Sequence, residues 1–410
     1  MKKTRVVVTG VGAVTSIGVG KETFWNNLLK GTSGISKITS FDISDFRTSL
    51  GGEVKAPLKG KRLGNRTSAF LLKALSEART DSGITNAGYK KNEIGLTVGS
   101  FQIDHPKIET MHGWSRAYKP GNIRPTYGDP ENMDAFLPLC PSFFHNSLSA
   151  GLRFLSITGP ALNFTTVCSA GNYAIGFGYN LLKEKRAKAV YCCGADTISR
   201  FLQAGFNRLL ISSPDICSPF DKNRKGILVG EGAGVLVLET LENALKRNAP
   251  IYAEILGYGM SCDAYSMTMP SFDGIYMVMK NALKNAKIKK NQVDYINAHG
   301  TGTLNNDVIE SKVINKLFGK YAQKIDVTSI KSMLGHAMSA SSAIEAVSCC
   351  LSLKHEIIPP TINYKTKDPE CDIQVVANKP KKRKLNIIMN NSFAFGGNNA
   401  SVVFAKYKKK

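Results

Sequence analysis

The chain has 410 residues, of which 43% are hydrophobic and 37 are glycine, so it can bury a large core and is not intrinsically disordered. No stretch approaches the roughly 20 consecutive apolar residues that cross a bilayer, and Met1 to Arg5 lead into a strand without an apolar signal segment. We therefore expect a cytoplasmic protein without membrane insertion.

The charge balance favours an acidic partner. Lysine and arginine number 54 against 31 aspartates and glutamates, which gives a net charge of +23. The basic residues are not interleaved with aromatics as in nucleic-acid-binding modules, so we expect an acidic protein and not DNA or RNA. The nine cysteines include no Cys-x-x-Cys pair, and neither a disulfide framework nor a zinc site is indicated.

Strands and helices are predicted to alternate along the chain, which is typical of layered α/β proteins. The first predicted strand covers residues 5–9, and Gly10 and Gly12 are interpreted as a turn that ends it. The stretch 101–144 is irregular and is interpreted as loops or an inserted cap. We expect strands 232–240 and 251–258 to be neighbours. The other predicted elements are strand 162–167, helix 170–183, strand 189–193, helix 277–286, strand 293–298, helix 307–317, strand 325–330, helix 337–353 and strand 385–390.

One cysteine and two histidines occupy similar settings of small residues. Cys168 begins a run of small residues between a predicted strand and helix, while His299 and His336 are flanked by glycine. Open α/β sheets bind ligands at the carboxyl ends of their strands, where these candidates lie. A helix N-terminus can hold a thiol as thiolate, and two imidazoles can serve a thioester reaction. The pattern predicts acyl transfer through Cys168.

Five motifs together resemble those of the elongating 3-oxoacyl-[acyl-carrier-protein] synthases. They are the Cys168 segment, His299 to Thr303, Lys331 to His336, Asn391 to Gly397 and Gly230 to Gly234. The resemblance implies a thiolase fold, with two similar halves forming a five-layered α-β-α-β-α core. It places the halves at 1–250 and 251–410, and implies a homodimer, with a heterodimer as the alternative. It implies no cofactor or metal beyond the phosphopantetheine that carries the substrates.

The resemblance also implies roles for single residues. Cys168 would carry the acyl group, while His299 and His336 would promote decarboxylation of malonyl-carrier protein. Lys331 would be an active-site lysine paired with Glu310 or Glu345, in a supporting network that includes Asp307. The backbone N–H groups of Cys168 and Phe395 would form an oxyanion hole, and the Phe395 side chain would act as a gate. Thr301, Thr303 and Thr268 would contact the phosphopantetheine arm.

An acidic acyl-carrier protein is the partner that the resemblance implies. Its docking patch would comprise Lys61, Arg62, Arg66 and Arg208. The chain departs from the family pattern at Ala394, Asn398 and Ser266, so the gating loop and the entrance can differ from those of relatives. Whether the pathway makes ordinary fatty acids or a polyketide or polyene stays open.

Two alternative functions compete with condensation. A coenzyme A-dependent thiolase would use a second late cysteine where this chain has His336. A chain-length-setting partner subunit of a ketosynthase heterodimer would lack the nucleophile, which this chain keeps as Cys168.

Overall fold

The computed structural model describes residues 4–57, 65–101 and 146–408. Its main sheet contains the following strands, numbered in chain order: β1 Val6–Thr15, β2 Ile94–Gly99, β3 Ala161–Phe164, β4 Ala189–Asp196, β5 Gly232–Thr240, β6 Ala253–Cys262, β7 Tyr295–Asn297, β8 Asp326–Thr328, β9 Ile387–Phe393 and β10 Asn398–Ala405. Two-residue strands extend it at Gly18–Val19 and Gln374–Val375 and form separate pairs at Ser36–Lys37 with Leu50–Gly51 and Ile357–Ile358 with Lys381–Lys382.

The helices of the described residues flank this sheet. They are α1 Lys21–Lys30, α2 Arg66–Ser82, α3 Asn146–Leu155, α4 Ala170–Lys183, α5 Arg200–Arg208, α6 Leu241–Lys246, α7 Phe272–Ala286, α8 Leu304–Phe318, α9 Lys331–Leu334 and α10 Ser341–His355. Side-chain caps start several of them; the Asn65 side chain accepts the Ser68 N–H at 2.8 Å at the start of α2.

The strand order is the same in the two parts of the chain. The first part runs β3-β2-β4-β5-β1 and the second runs β8-β7-β9-β10-β6, with β1 and β6 adjacent in the middle. Directions match as well: β3, β2 and β4 are parallel, as are β8, β7 and β9, while the last two strands in each series pair antiparallel. This repeat supports the predicted halves 1–250 and 251–410, a boundary that stays a prediction.

Helices α4 and α10 form the central layer. Both contact strands of the first series and strands of the second, and they contact each other. Helices α2 and α3 cover the outer face of the first series, and α7 covers that of the second, with α8 packed beside it. The result is the α-β-α-β-α order of the thiolase fold, and the largest apolar core surrounds α4 and α10.

Two predictions about the sheet are wrong. Gly10 and Gly12 form no turn, because β1 continues through both to Thr15. A side-chain carbon on Gly12 would lie 2.1 Å from the Ala74 carbonyl oxygen of α2, so the glycine permits close helix packing. Strands β5 and β6 are not neighbours either, because β1, buried along its whole length, lies between them and pairs with both.

The predicted elements otherwise appear with shifted ends. Helix α4 has the predicted bounds, whereas the predicted helix 337–353 begins at Ser341 because a separate turn, Met338–Ala340, precedes it. The predicted cap at 101–144 lies outside the described residues, apart from Phe101. Within the described ranges, no helix is both long and apolar enough to cross a membrane.

Candidate active site

Cys168 lies in a strained turn at the start of the central helix α4. The preceding residue, Val167, has φ of 49°, a left-handed conformation that is rare for a β-branched side chain. Two hydroxyls fix the turn: Ser392 Oγ donates to the Cys168 carbonyl at 2.8 Å and Ser342 Oγ donates to it at 3.1 Å. The backbone around the sulfur is therefore held by strand β9 and helix α10, both from the second part of the chain.

The structure brings Cys168, His299 and His336 together. A nitrogen of each ring and the sulfur all lie within 4.8 Å of one another, and all three residues are buried. The two imidazole rings meet edge to face with centroids 5.4 Å apart. Three residues separated by up to 168 positions thus form one compact group at the carboxyl ends of their strands.

The hydrogen bonds of His336 define its tautomer. The Met338 N–H donates to His336 Nδ1 at 2.9 Å, and the Ser341 hydroxyl lies 3.2 Å from the same nitrogen. A nitrogen that accepts a backbone N–H has no proton of its own, so neutral His336 carries its proton on Nε2. His336 is therefore a hydrogen-bond donor through Nε2.

The loop that carries His299 is fixed by Glu310. The Glu310 carboxylate accepts the His299 N–H at 3.0 Å and the Gly300 N–H at 2.9 Å, and the Asn391 amide donates to it at 3.3 Å. Burial raises the pKa of Glu310 to about 7 despite these donors. The Nδ1 atom of His299 is buried and has no hydrogen-bond partner among the described residues.

Burial sets the protonation of the trio. It raises the pKa of the Cys168 thiol to about 12, although Lys331 and the backbone N–H groups of Phe395 and Cys168 act in the opposite direction. Loss of hydration thus opposes the thiolate that a helix N-terminus would favour, and the thiolate stays a prediction. Burial also lowers the pKa of both histidines well below 6.5, an effect that Lys331 strengthens, so both rings are neutral at pH 7.

Lys331 pairs with Glu345 and not with Glu310. The two side chains are 1% and 2% exposed and form a direct ion pair, and the second carboxylate oxygen of Glu345 has no partner among the described residues. Burial raises the pKa of Glu345, against the opposing effect of Lys331. The pair places the positive charge of Lys331 beside the trio. Among the described residues, Glu345 is the one carboxylate that contacts Lys331 Nζ.

Asp307 belongs to a second cluster that holds the threonines of the His299 loop. Its carboxylate accepts the Gly302 N–H at 3.2 Å and the Phe220 N–H at 2.8 Å, and it lies 3.9 Å from Arg224 Nε. The hydroxyls of Thr301 and Thr303 are hydrogen bonded to each other at 2.8 Å. Asp307 and Glu310 thus hold different parts of the same loop, as adjacent turns of α8 allow.

A cavity of about 210 Å³ connects the trio with the surface. Cys168, His299 and His336 line it together with Thr268, Thr301 and Thr303, the three threonines predicted to bind the substrate arm. The Phe395 ring also lines it and stacks on Phe206 with centroids 5.9 Å apart. Cys168, the two histidines and the three threonines therefore share one cavity, which Lys331 does not line.

The predicted docking residues do not form one patch in the described structure. Lys61 and Arg62 lie outside the described residues. Arg66 pairs with the buried Glu231, donates to the Val54 carbonyl oxygen at 2.9 Å and lies over the Phe70 ring. Its charge is therefore balanced by Glu231 within the fold. Arg208 is exposed at the end of α5, the helix that also supplies Phe206 to the cavity.

Sequence reasoning missed several residues of the site. Ser342 and Ser392, which hold the Cys168 carbonyl, resemble ordinary polar residues of a helix and a strand, and only Ser392 lies in a recognised motif. Phe206 and Lys225 line the cavity but belong to stretches without any pattern of catalytic residues. Proximity of distant segments is the only signal that would have identified them.

The same trio is also the one cluster of described residues with the geometry to hold a metal ion. The Met338 N–H on Nδ1 of His336 leaves the proton on Nε2, however, and coordination through Nε2 would require its loss. The donor set therefore fits hydrogen bonding to oxygen better than it fits a resident metal.

Two family models match the chain. The N-terminal domain of beta-ketoacyl synthase matches residues 3–244, and the C-terminal domain of beta-ketoacyl synthase matches residues 252–365. Among curated proteins, 3-oxoacyl-[acyl-carrier-protein] synthase 2 of Synechocystis is 36% identical over 100% of this chain and 99% of its own length. Nodulation protein E of Rhizobium leguminosarum bv. trifolii is 34% identical over 98% of this chain and 98% of its own length.

Solved structures agree with these matches. The ishigamide ketosynthase/chain length factor aligns with a TM-score of 0.91 and 37% identity over 99% of this chain and 100% of that one. A type II polyketide ketosynthase, solved in complex with its acyl-carrier protein, aligns with a TM-score of 0.87 and 30% identity over 99% of this chain and 100% of that one.

Proposed function

This chain belongs to the beta-ketoacyl synthase family, and we propose that Cys168 carries the acyl group in its reaction. The protein is an acyltransferase that condenses malonyl-acyl-carrier protein with an acyl group and lengthens the chain by two carbons. The observation that carries the assignment of residues is the meeting of one sulfur and two neutral imidazoles within 4.8 Å in one cavity.

The first half-reaction is transfer of the acyl group to Cys168. The sulfur attacks the thioester carbonyl of the acyl-carrier protein, the carrier's thiol leaves, and the proton of Cys168 ends on that thiol. Negative charge on the carbonyl oxygen would be stabilised by the N–H groups of Cys168 and Phe395, each worth about 3 kcal/mol in such a site. The effect of both groups on the pKa of Cys168 supports this placement, since both act on the sulfur.

The second half-reaction is decarboxylation of the malonyl group. As carbon dioxide leaves, the electron pair passes into an enolate whose oxygen needs hydrogen-bond donors. His336, with its proton on Nε2, supplies one donor, and the neighbouring His299 supplies the other. The carbanion then attacks the acyl carbon on Cys168, and the sulfur leaves as thiolate and recovers a proton.

Lys331 acts in this scheme through its charge and does not transfer a proton. Its buried ion pair with Glu345 supports that role, because the carboxylate holds the ammonium group in place. The positive charge lowers the pKa of both histidines and therefore helps to keep them neutral as the pH falls. Neutral imidazoles donate to the enolate oxygen without first having to lose a proton.

The substrates arrive on the phosphopantetheine arm of an acidic acyl-carrier protein, and the reaction needs no other cofactor. Thr301, Thr303 and Thr268 would contact the arm, and Phe395 would close the acyl site by its stacking on Phe206. Docking would use the exposed Arg208 beside the entrance, with Lys61 and Arg62 as further candidates. The proposed location is the cytoplasm.

The proposed assembly is a dimer, formed with a second copy or with a related subunit. Strand β3 supports it, because in the described part of the sheet this strand pairs on one side only, with β2. A role as chain-length-setting subunit, or as a coenzyme A-dependent thiolase, lacks a supporting observation in a chain that keeps both Cys168 and His336 in its site.

The proposal is tested with purified protein, acyl-carrier substrates of several chain lengths and malonyl-carrier protein. We expect release of carbon dioxide, formation of 3-oxoacyl-carrier protein, and an acyl adduct on Cys168 in the mass spectrum. Cys168→Ala should abolish condensation and the adduct. An unchanged rate in that variant would remove Cys168 from the mechanism, and absence of product from every primer would refute the condensation itself.

A further inference from the structure

Lys225 is the single lysine or arginine among the described residues that line the cavity to Cys168. Its side chain is 54% exposed, and its Nζ lies 2.6 Å from a carboxylate oxygen of Asp215, which is 48% exposed. Ion pairs this open to solvent are weakly held. An anion that enters the cavity can therefore replace Asp215 at the Lys225 ammonium group.

The residues on both sides of Lys225 are hydrogen bonded to the segment that holds Thr301 and Thr303, one through its side chain and one through its backbone. Arg224 Nε donates to the Thr303 carbonyl oxygen at 3.1 Å, and the Gly226 N–H donates to the Gly302 carbonyl oxygen at 3.0 Å. Lys225 thus lies directly beside the hydroxyls that would contact the substrate arm. These two hydrogen bonds fix the chain on either side of Lys225 relative to that segment.

The entrance around Lys225 also presents apolar surface. Four residues that line the cavity are exposed hydrophobic side chains, namely Leu210, Met267, Met269 and Leu304. When the carrier covers such a surface, water is excluded and a charge interaction at its centre becomes stronger. A lone cation beside apolar side chains and neutral hydroxyls is suited to recognise one anionic group.

We propose that Lys225 binds the phosphate of the phosphopantetheine arm, and that Asp215 holds the ammonium group while the entrance is empty. The inference rests on the proposed function, in which the acyl group arrives on that arm. Because the arm is linear and its sulfur must reach Cys168, its phosphate remains at the entrance next to the carrier. On the carrier this phosphate is a diester with one negative charge, which a compact ammonium group can match.

The test compares acyl-phosphopantetheine with acyl-pantetheine, two free substrates that differ only in the phosphate. We expect Lys225→Met to reduce the preference for the phosphate-bearing substrate, measured as the ratio of the two kcat/KM values, by roughly fivefold. The reduction should shrink at high salt. Asp215→Asn should increase the same ratio, because the competing carboxylate is gone.

Lys222→Met is the matched control. Lys222 is exposed on the same loop and does not line the cavity, so its removal changes the net charge equally and should leave the ratio unaltered. If Lys225→Met lowers kcat/KM equally for both free substrates, or lowers it only for the complete carrier protein, Lys225 does not bind the phosphate and the inference is overturned. Failure of the wild-type protein to acylate Cys168 from any thioester would be a distinct result, which refutes the proposed function and this inference with it.

Discussion

The buried pair of Lys331 and Glu345 allows structure and catalysis to be separated in one experiment. Both side chains are at most 2% exposed, so removal of either charge leaves the other uncompensated in the core. Such losses typically cost about 3–5 kcal/mol, whereas replacement of both partners by apolar residues of similar volume is close to neutral. We therefore expect Lys331→Met and Glu345→Leu to be destabilised by about 3–5 kcal/mol each, and the double variant by less than about 1 kcal/mol.

The loss of folding stability in Lys331→Met should depend on pH. Burial raises the pKa of Glu345, and without Lys331 nothing of comparable strength opposes that rise. Below the unfolded pKa near 4.5, the Glu345 carboxyl is protonated in both states and its burial costs little stability. As the pH rises through the higher pKa of the folded protein, the buried carboxyl becomes charged and the fold loses stability. The variant should thus be nearest to the wild type in stability at low pH and furthest from it at pH 8.

Urea unfolding followed by circular dichroism, at one protein concentration, measures these differences. The acylation rate of the double variant should remain below that of the wild type, since Lys331 also lowers the pKa of Cys168. The acidic limb of its condensation rate should move to higher pH, because Lys331 also lowers the pKa of both histidines. A single Lys331→Met variant as stable as the wild type at pH 8, or a double variant no more stable than the singles, would refute the reasoning.

The next predictions concern the hydroxyl at the Cys168 turn and the packing of two glycines. Ser392→Ala removes the hydroxyl at 2.8 Å from the Cys168 carbonyl and should slow single-turnover acylation of Cys168 about tenfold, the effect of roughly 1.4 kcal/mol. The control is Ser82→Ala, which removes a buried hydroxyl of α2 that donates to the Arg79 carbonyl oxygen at 3.1 Å; equal effects would contradict a specific role. Gly12→Ala should destabilise the fold by about 1–3 kcal/mol because its new carbon meets the Ala74 carbonyl oxygen at 2.1 Å. Gly205→Ala on α5 meets nothing within 4 Å and should raise the urea midpoint slightly; a Gly12→Ala midpoint equal to wild type would show that α2 can move away.

Much of the local structure could be predicted from the sequence. The alternation of apolar runs identified the layered α/β class and the bounds of helix α4, because periodicity reports directly which face of an element is buried. It could not show that β1 continues through Gly10 and Gly12, or that β1 separates β5 from β6. Those facts depend on how closely α2 approaches the strand and on pairing between residues far apart in the chain.

For the site, the motifs by themselves determined that a cysteine and two histidines stand in settings suited to thioester chemistry. Only the tertiary structure decided that Lys331 pairs with Glu345, that Arg66 pairs with the buried Glu231, and that burial raises the pKa of Cys168. The physical reason is that partner choice and pKa depend on distance and on the loss of water around each group. Both quantities come from the packing of segments that the linear chain keeps apart.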